Sequence, residues 1–206
     1  MPYKVVSDFE KAVAKYAGAK YGISVDSCTN ALLLCMKYLE VDEVTIPNKT
    51  YVGVAQSVLN AGGRIKFSYD YWEGIYELKP YHIIDSARRF TKGMYIPFTY
   101  YCLSFHWSKH LAIGRGGMIL TDDIDAMKWF KRARFDGRRE GVHPRDDTFD
   151  IFGGHYYMTP ELASSGLIRM ASMPDHNEDL PNSDYPDLSL QKIFLPNTAE
   201  HQTGCI

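Results

Sequence analysis

Apolar residues recur along this chain with two alternating periods, one near 3.6 and one near two. Over residues 9–17 the helical period holds, with Phe9, Val13 and Tyr16/Ala17 on one face. Tyr21–Val25 reads as a short strand. Asp26-Ser27-Cys28-Thr29 is a polar break with capping residues, after which Ala31, Leu32, Leu34, Cys35, Tyr38 and Leu39 predict a second helix. Glu43–Pro47 reads as a strand, 51–60 as a helix closed by Gly62-Gly63, and 64–69 as a strand again. Residues 81–84, 100–105 and 118–121 are nearly continuous apolar runs, the pattern of strands covered on both faces. Residues 124–135 predict a helix with a basic far end, and 159–170 another, opened by Thr159-Pro160-Glu161. The order βαβαβ followed by further strands predicts an α/β domain with a mostly parallel sheet.

The pattern stops at Pro174. From there the chain is rich in Asp, Asn, Pro and Ser, with one apolar patch at 188–195. It divides into a domain over 1–173 and an extended tail or arm over 174–206, read as packing on a partner chain. No internal repeat or low-complexity tract is present.

Composition narrows the functional classes. With 206 residues, 45% of them hydrophobic, the chain can bury one sizeable core. Its 23 Lys+Arg against 25 Asp+Glu give no sequence-wide pull toward nucleic acid or an anionic membrane. Arg132, Arg134, Arg138 and Arg139 form a local cluster, read as a solvated helix end and turn. Cys28, Cys35, Cys102 and Cys205 show no ligand spacing, so free thiols in a reducing cytoplasm are expected. The opening residues carry Lys4, Asp8 and Glu10 and read as neither a secretory signal nor a membrane span.

Four segments carry candidate chemistry, each beside a plainer alternative. Ser104-Phe105-His106-Trp107-Ser108-Lys109 precedes Gly114-Arg115-Gly116-Gly117 and a strand. A lysine at the mouth of a sheet is placed to lose water, lower its proton affinity and act as a nucleophile; the alternative is a solvated lysine beside a hairpin turn. Ile83-Ile84-Asp85-Ser86-Ala87 puts a carboxylate at the end of a buried strand, where open α/β sheets bind ligands, or simply caps the next turn. Ser27-Cys28-Thr29-Asn30, between strand and helix, suits a phosphate or is an ordinary N-cap. In Asn48-Lys49-Thr50-Tyr51 the aromatic either lies on a ligand ring or opens a helix from the core. Gly114-Arg115-Gly116-Gly117 lacks the G-K-[ST] ending of a phosphate loop. His106 and His110, four apart, have no evident third metal ligand. Trp72, Trp107 and Trp129 read as core or interface residues.

The order of these segments resembles the DegT/DnrJ/StrS family of sugar aminotransferases, fold-type I enzymes dependent on pyridoxal 5′-phosphate (PLP). Ser27-Cys28-Thr29-Asn30-Ala31-Leu32 resembles its S-G-T-x-A-L motif, and Asp42-Glu43-Val44-Thr45-Ile46-Pro47 with Thr50-Tyr51 its D-E-V-I-x-P strand. Asp85-Ser86-Ala87 resembles D-x-A-Q, and Ser104 to Lys109 with Gly114 to Gly117 resembles S-F-x-x-x-K before G-x-G-G. Matched order runs from about residue 9 to about residue 170, which is more specific than any single motif. The resemblance implies a three-layer α/β/α sandwich like the large domain of PLP-dependent transferases. It also implies an amino transfer from glutamate onto a keto carbon of a nucleotide-linked sugar, in a cytoplasmic homodimer. Residue by residue, it implies a Schiff base on Lys109, which also moves protons, and Asp85 against the pyridine nitrogen. Cys28, Thr29 and Ser104 would lie on the phosphate, and Tyr51 on the ring.

The departures fall around the substrate. Arg88 stands where the family has Gln, placing a guanidinium for the cofactor's phenolate oxygen or for an acidic substrate. Phe135 replaces the Asn of R-N-H-G, and His155 and Tyr157 replace the Asn and Arg of G-Y-N-x-R. The stretch between Asp70 and Tyr81 is too short for the family's βα units, and most of the small C-terminal domain is absent after Met170. Two functional classes follow: a reduced PLP aminotransferase, or a non-catalytic relic of the fold that binds the cofactor or a partner.

Overall fold

The computed structural model describes residues 3–182 and 184–194. The first helix, α1 (Lys4–Ala17), starts five residues before the predicted segment, because Val6 extends the stripe of Phe9, Val13, Ala14 and Ala17. It ends at Gly18, whose φ of 91° is a left-handed cap that only glycine adopts without strain, with its N–H on Ala14 O. There follow β1 (Tyr21–Val25), α2 (Cys28–Tyr38), β2 (Glu43–Pro47), α3 (Val52–Asn60), β3 (Arg64–Ser68), β4 (Tyr76–Leu78), β5 (Ile83–Asp85), β6 (Tyr100–Ser104), β7 (Gly117–Thr121), α4 (Ile124–Ala133) and α5 (Pro160–Met170). Ser27 caps α2 by accepting from Asn30 N–H at 3.2 Å, and Asp123 caps α4 through Asp125 and Ala126 N–H. Thr159 occupies the cap position of α5, but its side chain makes no capping bond; Pro160 at the first turn sets the start.

Three layers result. The alternation of side chains along the strands sends Ile23, Ile83, Cys102 and Ile119 to the core shared with α2, α3 and α4. Ile84, Tyr101, Leu103, Met118 and Leu120 point to the other core, shared with α1 and α5. The α/β/α sandwich is therefore as expected, and both faces of the sheet are dry.

Strand direction is not. The five-stranded sheet has the order β1-β7-β6-β5-β4, and only β5 and β6 run parallel; the other three pairings are antiparallel. The parallel pair β2 and β3 forms a separate sheet, docked on the edge of the first where Thr45 and Lys79 exchange backbone hydrogen bonds of 2.8 and 3.2 Å. Parallel neighbours need a crossover of a dozen or more residues. The turn between β4 and β5 is only residues 79–82, which forces antiparallel pairing there. An apolar run reports burial of both faces, not direction, which is why the sequence pattern misled. Strand β4 itself has no sequence signal beyond three alternating residues.

Two further expectations are corrected. Arg134 is not solvated: it is 2% exposed and holds Glu10, the Ser24 carbonyl (2.7 Å) and Glu140 (2.7 Å). Glu10, itself 4% exposed, also accepts from Ser24 N–H and Oγ–H at 2.9 Å. This cluster ties α1, β1 and the end of α4 together. The segment from Pro174, expected as an extended tail or arm packing on a partner chain, lies on its own domain over its described residues. Residues 174–182 and 184–194 fold back on their own domain, with Leu188 1% exposed in the first core. Its polar residues are spent on specific loop carbonyls and side chains, which composition cannot reveal.

Cys28, Cys35 and Cys102 are free thiols, whereas Cys205 lies outside the described residues. Trp72 and Trp129 pack against the core, but Trp107 is 72% exposed. No helix among the described residues is long and apolar enough to cross a membrane.

Candidate active site

The turns after β1, β2, β5 and β6 meet at one end of the sheet and enclose a cavity of about 350 Å³. That is in the lower part of the roughly 300–1,000 Å³ range of small-molecule sites. Cys28, Thr29, Tyr51, Asp85, Arg88, Ser104 and Lys109, candidates drawn from four separated segments, all line it.

Each wall has a local cause. Cys28 and Thr29 belong to the first turn of α2, whose N–H groups have no partner four residues back. Gly117, at the start of β7, lets that strand press against this turn: a Cβ there would lie 2.5 Å from Cys28 N. Tyr51 occupies the N-cap position of α3 and is 56% exposed, so it does not open the helix from the core. Ser104 ends β6, and Lys109 follows in a loop where it is half-buried rather than solvated.

Asp85 is the buried acid of the site. One carboxylate oxygen accepts from Tyr76 Oη–H at 2.7 Å, the other from Ala87 N–H at 2.9 Å. Tyr76 Oη is also 2.7 Å from Thr50 Oγ1. Burial raises the Asp85 pKa against these bonds and against the cations Lys109 and Arg88. Burial likewise pushes Lys109 below the usual lysine value, reinforced by Arg88 and opposed by Asp85. The Cys28 thiol is held well above its ordinary value by burial and by Asp85, so it stays protonated and is a hydrogen-bonding group rather than a nucleophile.

A consequence for stability can be measured without any ligand. The unfolded chain gives up the Asp85 proton more readily than the folded protein, so stability falls as pH rises from the ordinary carboxylate value (about 4) through the raised one. Asn at this position does not titrate. Asp85→Asn is therefore expected to raise the thermal midpoint at neutral pH, with the gain shrinking to nothing below about pH 4. A calorimetric pH series in which the variant is no more stable at neutral pH would contradict this assignment.

Sequence reasoning missed three groups. Tyr76 sits on a strand too short to register. Trp72 and Tyr185 also line the cavity, the latter from the polar C-terminal segment, where no periodicity marks it. The two histidines of the loop go separate ways, His106 to Ser108 Oγ (3.0 Å) and His110 to the Glu178 carbonyl (2.8 Å). Among the described residues no group of three or more metal-ligating side chains comes together.

The sequence profile of the DegT/DnrJ/EryC1/StrS aminotransferase family matches residues 1–95 and 98–179. GDP-perosamine synthase of Caulobacter vibrioides is 26% identical over 221 residues, spanning 84% of this chain and 58% of that protein. The dTDP-3-amino-3,6-dideoxy-alpha-D-galactopyranose transaminase of Aneurinibacillus thermoaerophilus is 30% identical over 98 residues, 46% of this chain and 27% of that protein. The crystal structure of S. venezuelae DesV in complex with a ketimine intermediate superposes with a TM-score of 0.71 at 18% identity, covering 82% of this chain and 57% of DesV. At that identity the likeness speaks for the fold alone. The chain thus spans less than two thirds of the length of these relatives.

Proposed function

The chain belongs to the DegT/DnrJ/EryC1/StrS aminotransferase family, and from that membership we propose that it binds pyridoxal 5′-phosphate and moves an amino group from glutamate to a keto carbon of a nucleotide-linked sugar. The observation that carries this reading is the convergence of all seven candidate residues on one cavity, among them a half-buried lysine, Lys109, of lowered proton affinity.

The donor set suits that cofactor. The hydroxyls of Thr29 and Ser104, with the first turn of α2, offer hydrogen bonds and a favourable dipole to a phosphate. Cys28 stands where the family has glycine and offers a protonated thiol. Asp85 would hold the proton on the pyridine nitrogen, with Tyr76 and Ala87 fixing its orientation. Tyr51 would lie against the ring, and Leu32 and Val54 keep part of the wall apolar. Arg88 would face the phenolate oxygen or an acidic substituent of the substrate.

Pyridoxal phosphate, when bound, supplies a ring that takes up the electron pair left at the amino-bearing carbon. Lys109 has two tasks in this reading. Its Nζ would be the amine that holds the cofactor, and as a free amine it would take a proton from the amino-bearing carbon of the donor and give one to the acceptor carbon. Its lowered proton affinity keeps more of the amine unprotonated near neutral pH. The same reading includes a cytoplasmic homodimer. The free thiols accord with a reducing compartment, and exposed Trp107, Phe152 and Ile168 with a covered surface.

The test is spectroscopic. Titration with pyridoxal phosphate should give a long-wavelength band that borohydride fixes as a stable adduct on the peptide containing Lys109, and glutamate should convert the band to that of the amine form. No band at saturating cofactor would leave the fold without this chemistry and favour the non-catalytic scaffold.

A further inference from the structure

One wall of the cavity comes from none of the motifs around it. It is Tyr185, carried on residues 178–182 and 184–188, which are anchored at two places. At the first, Arg89 Nε donates to Asp179 Oδ1 at 2.7 Å, Leu180 N–H donates to the Arg88 carbonyl at 2.9 Å, and His110 Nε2 lies 2.8 Å from the Glu178 carbonyl. At the second, Leu188 N–H donates to the Asn48 carbonyl at 2.8 Å and Asn48 Nδ2 to Asp187 at 2.7 Å, with the Leu188 side chain in the core. Between them Asn182 Nδ2 donates to the Trp72 carbonyl at 2.6 Å. The segment therefore bridges the turn after β5 and the turn after β2. The one described residue of it that lines the cavity is Tyr185. The Tyr185 hydroxyl accepts from Arg88 Nη2 at 2.9 Å, its ring centroid lies 5.4 Å from the guanidinium carbon, and the Pro181 carbonyl accepts from Arg88 Nη1.

We propose that Tyr185 is a positioning residue: with the Pro181 carbonyl it fixes the Arg88 guanidinium in the wall of the Lys109 cavity, so that this C-terminal segment completes the site. The inference rests on the reading of Lys109 as the working amine and gives a role to the segment that follows the matched motifs. A free arginine side chain samples many rotamers and carries a planar fork of donors. Two acceptors on one edge and an aromatic face below select a single orientation from that freedom. The residue so held is 8% exposed, and its charge acts on both Asp85 and Lys109.

The groups facing Lys109 are Asp85 at the end of β5, Arg88 from the turn after it and Cys28 from α2, with His106 of its own loop and Arg115 of the next in the same cavity. Releasing Arg88 removes a neighbouring cation and admits water to the amine. Both changes favour the protonated form, so both raise the proton affinity of Lys109.

Competitive acylation of the cofactor-free protein with acetic anhydride, read by mass spectrometry across pH, measures that affinity directly. Tyr185→Ala is expected to move the Lys109 labelling midpoint upward, toward that of an ordinary lysine. Tyr185→Phe, which keeps the ring and loses only the hydroxyl, should move it less and guards against loss of folding in the larger truncation. Arg88→Gln should raise the midpoint by itself and leave nothing for Tyr185→Ala to add. A midpoint unchanged in both Tyr185 variants, or a Tyr185→Ala shift that persists in full beside Arg88→Gln, would overturn the proposal. Because no cofactor is present in this experiment, failure to take up pyridoxal phosphate and absence of the Tyr185 effect are separate results.

Discussion

Lys109→Ala is expected to abolish the borohydride-fixable band while leaving the protein folded. The amine is the one group in the cavity with the chemistry to form a covalent imine at neutral pH. Arg88 and Arg115, also in its wall, carry guanidinium groups rather than a primary amine. Lys109→Arg, which keeps the charge but not a free amine, should be as silent as the alanine variant; a band surviving there would point to non-covalent cofactor or to another lysine. If the transfer reaction runs, its rate should fall by at least the roughly 10²–10⁴-fold that a positioned acid–base group contributes. Stability should not fall with it. The native amine is partly desolvated and lies beside the Arg88 cation, so its charged form gains nothing from the fold that alanine would forfeit. Circular dichroism and a thermal melt alongside the spectra separate loss of chemistry from loss of structure.

Arg134→Ala is expected to be the most destabilising single change, at about 3–5 kcal/mol, because it leaves a buried carboxylate without its cation. Glu10 would retain the two donors of Ser24 and the distant Lys131 Nζ at 3.9 Å, neither a substitute for a guanidinium. For a chain of this length that loss lowers the melting temperature by roughly 10 °C. One control makes the assignment specific. A Glu10→Gln, Arg134→Met double variant should recover much of the loss, since removing both charges costs far less than stranding one. Denaturant titrations of the wild type, Glu10→Gln, Arg134→Met and the double variant form the cycle, and simple additivity in it would rule out the pair as the cause.

The legibility of the site and of the fold diverged for physical reasons. Ser27 to Asn30, Thr50-Tyr51, Asp85 and Ser104 to Lys109 stood out because each follows a strand that the apolar pattern marks, and a strand end is a short, local event. Tyr76 did not stand out, because its strand is three residues long and its partner Asp85 is reached only through the β4–β5 pairing. Arg134 looked like its neighbours Arg132 and Arg138. Nothing local distinguishes a guanidinium that meets Glu10, 124 positions away, from one that meets water.

By itself, then, the sequence determined the α/β class, the positions of most helices and strands, and the ordered motifs that identify the family. All of these depend on periodicity and composition within a dozen residues. Only the tertiary structure decided that three of the four pairings in the main sheet are antiparallel, that a glutamate and an arginine form a buried cluster, and that a polar C-terminal segment supplies a wall of the cavity. These features depend on which distant surfaces meet. A buried polar contact is favourable only when both partners arrive together, so neither partner's sequence neighbourhood records it.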